Sequence, residues 1–219
     1  MKINFKIKEV KENIFLFEFE NHYDMCMTFL RYQEFYESPN PKFRGKSFKI
    51  LDFMKWYSEA FGNGAFTYPR DWDGFNIPGD IVEYAALLIP DDDYNDYDDA
   101  IKVAAAKCEK NSSTGYFYII GALSGNDSAK EHEIAHALFY LYPEYKQQMT
   151  KLVKALPSLL REEISAKFKR LGYTTKVYID ETQAYMATGL NHLIEDPDEY
   201  INERKSFEDF FKEFSEKTK

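Results

Sequence analysis

The chain has 219 residues, 44% hydrophobic and 30% charged, with a formal net charge of -9. That length suits one domain with a core large enough to need no staples, and the acidic balance argues against nucleic acid and anionic membrane as partners. Two cysteines, Cys26 and Cys108, imply no disulfide framework. A reducing compartment is therefore expected. Met1 to Lys8 lacks the apolar run of a secretory signal, and no stretch of 18 apolar residues occurs anywhere. The expectation is a soluble cytoplasmic protein, with export by a signal-less route left open.

The first elements read as a β-hairpin. Ile3, Phe5 and Ile7 alternate with polar residues, as do Phe15, Phe17 and Phe19, with Leu16 as the exception and Lys11-Glu12-Asn13 in the turn. Met25 to Tyr36 suits a helix, stopped by Ser38-Pro39-Asn40-Pro41. Phe48, Leu51, Met54, Tyr57 and Ser58 recur at helical spacing, so a second helix is expected over 46–61, closed by Gly62-Asn63-Gly64. Phe66 to Asp80 mixes aromatics with Pro, Gly and Asp. It reads as an ordered irregular loop, lining a site or pinned to the core by Trp72 and Phe75. Ile81 to Leu88 is either a strand or a short helix.

Asp91, Asp93 and Asn95 have the spacing of a calcium loop, but the sixth position is Asp96 rather than Gly and the twelfth is Lys102 rather than Glu. These carboxylates are better read as the favoured charges at the start of a helix over 97–109. Tyr116 to Ile120 is the strongest strand signal in the chain. At a sheet edge it would pair with an extended peptide.

The next stretch carries the chemistry. His132-Glu133-Ile134-Ala135-His136 is an H-E-x-x-H pattern. A helix turns about 100° per residue, so His132 and His136 project from one face and can grip one ion. Glu133 sits beside them, able to reach a water without being a ligand. Two imidazoles, a general base and an open coordination position are what metal-assisted hydrolysis needs. Ser128 and Glu131 read as a capping box for this helix. Ile134, Ala135, Leu138 and Phe139 supply its buried back. Beyond Pro143, helices are expected over 144–155 and 158–171, with Gly172 as a C-cap glycine. A further helix starts near 178–180 and runs through Ala187, and a terminal one spans 206–217.

Two histidines do not complete a zinc site. A metzincin pattern would need Gly at 139 and His at 142, where this chain has Phe139 and Tyr142. The surroundings of Cys108 are unlike those of a deformylase cysteine, and a core role suits it better. Asp180-Glu181-Thr182-Gln183-Ala184-Tyr185 is the strongest downstream source of a third ligand. With His132 to His136 and Glu181 to Ala187, the chain resembles the gluzincin metallopeptidases. That resemblance implies a zincin-like α+β fold, a small N-terminal mixed sheet packed on the motif helix and followed by a mostly helical C-terminal part. It implies one Zn2+ per chain on His132, His136 and Glu181, with Glu133 as the general base and Ala184 and Ala187 allowing close helix packing. Where many gluzincins carry an Asp four residues after the glutamate ligand, this chain has Tyr185. Asp180, His192, Glu162 and Glu163 are rivals for the third position. Tyr173, Tyr178, Tyr185 and Asp180 are the residues to consider as oxyanion donors or as partners of the ligands.

A single catalytic domain over 1–219 is expected, with the sheet and motif helix in 1–141 and the part supplying the third ligand in 142–219. The function these readings favour is a zinc metallopeptidase acting on a peptide or protein. The alternatives are a binding or regulatory module on the same scaffold, using the helical segment Glu144 to Leu171, or a zinc hydrolase with a non-peptide substrate. The oligomeric state is not indicated.

Overall fold

A computed structural model describes residues 3–189, 193, 194 and 197–218. It is an α+β structure with a four-stranded mixed sheet in the N-terminal part and a mostly helical C-terminal part. The chain forms two compact units, Met1–Lys130 and Glu131–Lys219.

In the first unit, strands β1 (Phe5–Lys11) and β2 (Ile14–Phe19) form the hairpin. Its turn places Asn13 at φ 60, a left-handed conformation that asparagine tolerates better than most residues. The Asn13 carboxamide then accepts from the Ser112 hydroxyl and the Ser113 backbone, tying the turn to a distant loop. Two further strands complete the sheet: β3 (Gly74–Pro78) and β4 (Tyr118–Leu123). The order is β1-β2-β4-β3, with β2 and β4 parallel and the other pairs antiparallel.

The strand read as Tyr116 to Ile120 therefore begins two residues later and lies inside the sheet. With neighbours on both sides, β4 has no free edge to offer a peptide, which corrects the substrate-pairing expectation. Interior placement also explains why Leu16 breaks the alternation of β2: β2 and β4 are buried on both faces.

Helix α1 (His22–Glu37) covers one face through Phe29. Gly121 lies between Phe17 of β2 and Phe75 of β3 in the strand register. A Cβ on Gly121 would come within 2.4 Å of the Phe29 ring, so the missing side chain is what lets α1 approach. Phe29 stacks on Phe75 with centroids 5.2 Å apart and reaches Phe17 at 6.1 Å. Burying a ring of this size stabilises the fold by about 1.5–3 kcal/mol.

The expected irregular loop over 66–80 is largely regular. It contains a short helix α3 (Tyr68–Asp71), all of β3 and the start of α4 (Gly79–Ala86). Phe75 and Ile77 are buried, while Asn76 between them accepts from the Tyr118 hydroxyl at 2.7 Å. The alternation was present, but Gly74 and Pro78 at its ends disguised an edge strand as a loop. The segment Ile81 to Leu88 is resolved in favour of helix.

Helix α2 (Ile50–Ala60) is shorter than expected, and of its expected face Tyr57 is buried, Met54 and Ser58 are half-buried and Leu51 is not. Leu51 is 72% exposed, while Phe53 and Tyr57 are buried in an aromatic cluster with Phe43, Phe48 and Tyr68. Helix α5 (Asp96–Asn111) is capped by Asn95 in a reciprocal box with Asp98.

In the second unit, the remainder of α6 (Asp127–Leu141) is followed by α7 (Pro143–Ala155), α8 (Ser158–Leu171) and α9 (Tyr178–Thr188). A 3-10 turn (Pro197–Tyr200) leads into α10 (Ile201–Lys217), which starts five residues before the expected position. Helix α9 packs against α7, α8 and α10. Gly172 ends α8 at φ 88, as a C-cap glycine does. Among the described residues, no helix is long and apolar enough to cross a membrane.

Candidate metal centre

Helix α6 begins with a cap different from the one expected. Asn126, not Ser128, accepts from the backbone of Ala129 at 3.1 Å. The shift leaves the spacing inside the helix unchanged. His136 is 4% exposed, and Ile134, Ala135, Leu138 and Phe139 are buried behind it.

Helix α9 supplies the opposite wall and is unusual in what it buries. Glu181, Thr182 and Gln183 are all buried, Gln183 completely. Burying three consecutive polar side chains costs stability unless each is satisfied.

His132, His136 and Glu181 come together, each offering one ligand atom within 4.8 Å of the others. The Nε2 atoms of the two histidines are 3.2 Å apart. Glu181 Oε2 lies 3.7 Å from His136 Nε2 and 4.0 Å from His132 Nε2. Zinc bonds of about 2.0–2.1 Å in tetrahedral geometry separate neighbouring donors by roughly 3.4 Å, so this triangle fits one ion. All three residues lie in the second unit. His132, at 19% exposed, is the member most open to solvent.

The outer nitrogens of both imidazoles are engaged. His136 Nδ1 donates to Asp180 Oδ1 at 2.9 Å. The Thr188 hydroxyl donates to the Ala184 carbonyl at 2.8 Å and so is available to accept from His132 Nδ1 at 3.1 Å. With Nδ1 carrying the proton in each ring, both Nε2 lone pairs face the same point as the Glu181 carboxylate. This arrangement of converging bases is the chemistry of a cation site.

The two imidazoles are shifted in opposite directions. Burial disfavours charge on His136, but the Asp180 and Glu181 carboxylates, with a contribution from Glu133, overcome it and raise its proton affinity well above the usual histidine value. Burial and the adjacent His136 hold His132 well below that value.

The remaining residues of interest are placed as follows. Glu133 is buried and lies close enough for its charge to act on both His136 and Tyr173. Tyr185 sets its ring against His132, with centroids 4.6 Å apart. Tyr173 hydrogen-bonds Tyr185; burial, the Glu181 charge and Tyr185 push its phenol well above the ordinary tyrosine value, which keeps it a donor. Tyr178 packs on Phe168 at 5.4 Å. Phe168 also contacts Tyr173 and Tyr185, so the three tyrosines share one apolar hub. Glu162 is exposed and Glu163 half-buried, and neither belongs to the group. His192 lies outside the described residues. Cys108 is buried, and burial raises its thiol to about 12, the state of an inert core cysteine.

Three residues escaped the sequence reading: Thr188, Gln183 and Tyr145. Thr188 had a usable signal, because Glu181, Tyr185 and Thr188 stand at i, i+4 and i+7 on one helical face. Gln183 Nε2 donates to Asp180 Oδ1 at 3.0 Å and to the Ala135 carbonyl at 3.3 Å, and its Oε1 accepts from the Tyr145 hydroxyl at 3.1 Å. Nothing in the spacing announces that role. Set beside known proteins, the chain matches no family model, no curated protein and no solved structure.

Proposed function

We propose that the chain is a zinc-dependent peptidase with a zincin-like centre, holding one zinc on His132, His136 and Glu181. The observation that carries this reading is the convergence of three bases at 3.2–4.0 Å, with both histidine Nδ1 atoms anchored behind them. Two imidazoles and one carboxylate suit zinc among the common divalent ions. The H-E-x-x-H spacing and its resemblance to the gluzincins support the same reading.

When bound, zinc supplies Lewis acidity to an attacking water and to the carbonyl oxygen of the substrate. Glu133 takes the proton of the water as its oxygen bonds to the carbonyl carbon. It returns that proton to the amine as the carbon–nitrogen bond breaks. Tyr173, kept protonated, is the donor proposed for the developing oxyanion. Asp180 and Thr188 hold the two imidazoles in the tautomer that presents Nε2.

The test is a peptide-library digestion by native protein and by Glu133→Gln, with zinc measured in both. Native protein should cleave and carry about one zinc per chain. The variant should keep its zinc and lose activity by roughly 10²–10⁴-fold. Cleavage that survives the substitution would remove Glu133 from the mechanism. A native chain that takes no zinc would remove the metal.

A further inference from the structure

We propose that Gln183 is a positioning residue for this centre, holding the Asp180 carboxylate on His136 and tying the helix that carries Glu181 to the helix that carries both histidines. The proposal rests on reading His132, His136 and Glu181 as a metal site. Gln183 is wholly buried, and so is Tyr145. Its amide has one satisfiable orientation. Two acceptors, Asp180 Oδ1 and the Ala135 carbonyl, face its nitrogen, and one hydroxyl donor, that of Tyr145, faces its oxygen. Turning the amide over would set oxygen against two oxygens, so the three partners fix it.

The consequence falls on Asp180. Its side chain is 26% exposed, in the first turn of α9, where a carboxylate has rotamer freedom. Gln183 stands three residues further on, on the same helical face. It donates to the same oxygen, Oδ1, that accepts from His136 Nδ1. The carboxylate is thereby held in the rotamer that orients the imidazole. The second N–H reaches Ala135, the residue before His136, so the same amide sets the separation of α6 and α9 at the ligands.

A merely structural glutamine would affect stability without being coupled to Asp180, and metal affinity separates the two roles. Zinc dissociation constants are measured by chelator competition for the full-length native chain, Asp180→Ala, Gln183→Met and the double variant, and visible spectra are recorded with cobalt(II). Asp180→Ala should weaken zinc by roughly 10–100-fold. Gln183→Met should weaken it by about 5-fold or more, comparable to losing a buried hydrogen bond, and should alter the cobalt spectrum. In the Asp180→Ala background the same substitution should cost less than it does in the native chain, because the route through Asp180 is gone and only the tie to Ala135 remains.

Gln183→Glu keeps the shape and the Tyr145 contact while setting a carboxylate against Asp180. It should lose more affinity than the Met variant, and it serves as the test if Gln183→Met does not fold. Unchanged zinc affinity in a folded Gln183 variant would overturn the role of Gln183, and a full additive loss in the double variant would overturn its action through Asp180; either result leaves the metal site standing. A native chain that binds no zinc would instead defeat the metal reading itself.

Discussion

Each compact unit buries a cluster of charged groups, and the two clusters are built on opposite plans. In the first unit, the Arg31 guanidinium donates to Asp98 through Nε and Nη2, to Asp93 through Nη2 and to the Phe48 carbonyl through Nη1. Arg31 and Asp98 are each about 3% exposed, and Asp93 joins them from the loop before α5. One cation meets two carboxylates, and the cluster closes on itself. In the second unit, two imidazoles and the carboxylates of Asp180 and Glu181 surround three converging lone-pair atoms. That cluster presents bases to a common point. The first needs nothing from outside the chain; the second could hold a cation. Burial and charge alone do not separate a structural cluster from a functional one, but the direction in which the lone pairs point does.

A buried acid outside both clusters shows a further solution. Glu34, on α1, is 5% exposed beside the Ser38 and Tyr68 hydroxyls. Desolvation raises its carboxyl to about 7, so near neutral pH it is half protonated. The molecule thus accommodates buried acids by pairing one with arginine, by protonating another and, on the proposed function, by binding a metal with a third.

The contrast breaks most decisively at the open cluster. His136→Ala or Glu181→Gln should take bound zinc from about one per chain to none, as read by mass spectrometry of metal content. If both variants keep the native zinc, the cluster is not the metal site. At the closed cluster the expected effect is on stability. Arg31→Met leaves Asp98 buried and unpaired and should cost about 3–5 kcal/mol in urea unfolding. Arg31→Met combined with Asp98→Asn should cost clearly less, because the most deeply buried pair of charges leaves together while an amide oxygen can still accept from the Asn95 backbone. Equal losses in the single and double variants would show that the cluster is not balanced internally.

Glu34 sharpens the comparison through pH. Its folded proton affinity exceeds that of the unfolded chain, whose carboxyl titrates near 4.5. The folded state therefore binds the extra proton between about 4.5 and 7, and stability falls as pH rises through that window, by about 3 kcal/mol in all. Glu34→Gln should flatten this decline and raise stability at pH 8 by about 1–3 kcal/mol, as measured by denaturation across the pH range. An unchanged pH slope would mean Glu34 is not the titrating group. The smallest effect is expected at Thr188→Val, which removes the acceptor behind His132 and should weaken zinc by a few-fold at most.

The parts of the molecule legible in the sequence were those governed by local rules. The hairpin followed from alternation and its turn residues. The helix boundaries around Pro157 and at Gly172 followed from backbone chemistry. His132 and His136 were legible because four residues is nearly one helical turn. What failed did so where local and tertiary signals compete. Strand β3 was hidden by Gly74 and Pro78, whose turn propensity is strong in isolation and harmless at an edge. In α2 the choice between the face of Leu51 and that of Phe53 depends on which aromatics the rest of the first unit brings to it. Arg31 reads as an ordinary polar residue until Asp93 and Asp98, more than sixty positions away, are folded onto it.

The sequence by itself determined the α+β class and the spacing that sets two histidines and a glutamate on one short helix, because helical and strand periodicity are properties of the backbone. The meeting of Glu181 with His132 and His136 was decided by tertiary structure. So were the anchoring of the imidazoles by Asp180 and Thr188, the clamp at Gln183 and the enclosure of β4 between two strands. Apart from Gln183 and Asp180, which stand three residues apart, these depend on pairs of residues 44 to 56 positions apart, or on which strands become neighbours. Such proximity arises only when buried surface on several elements is satisfied at once, and no local rule encodes it.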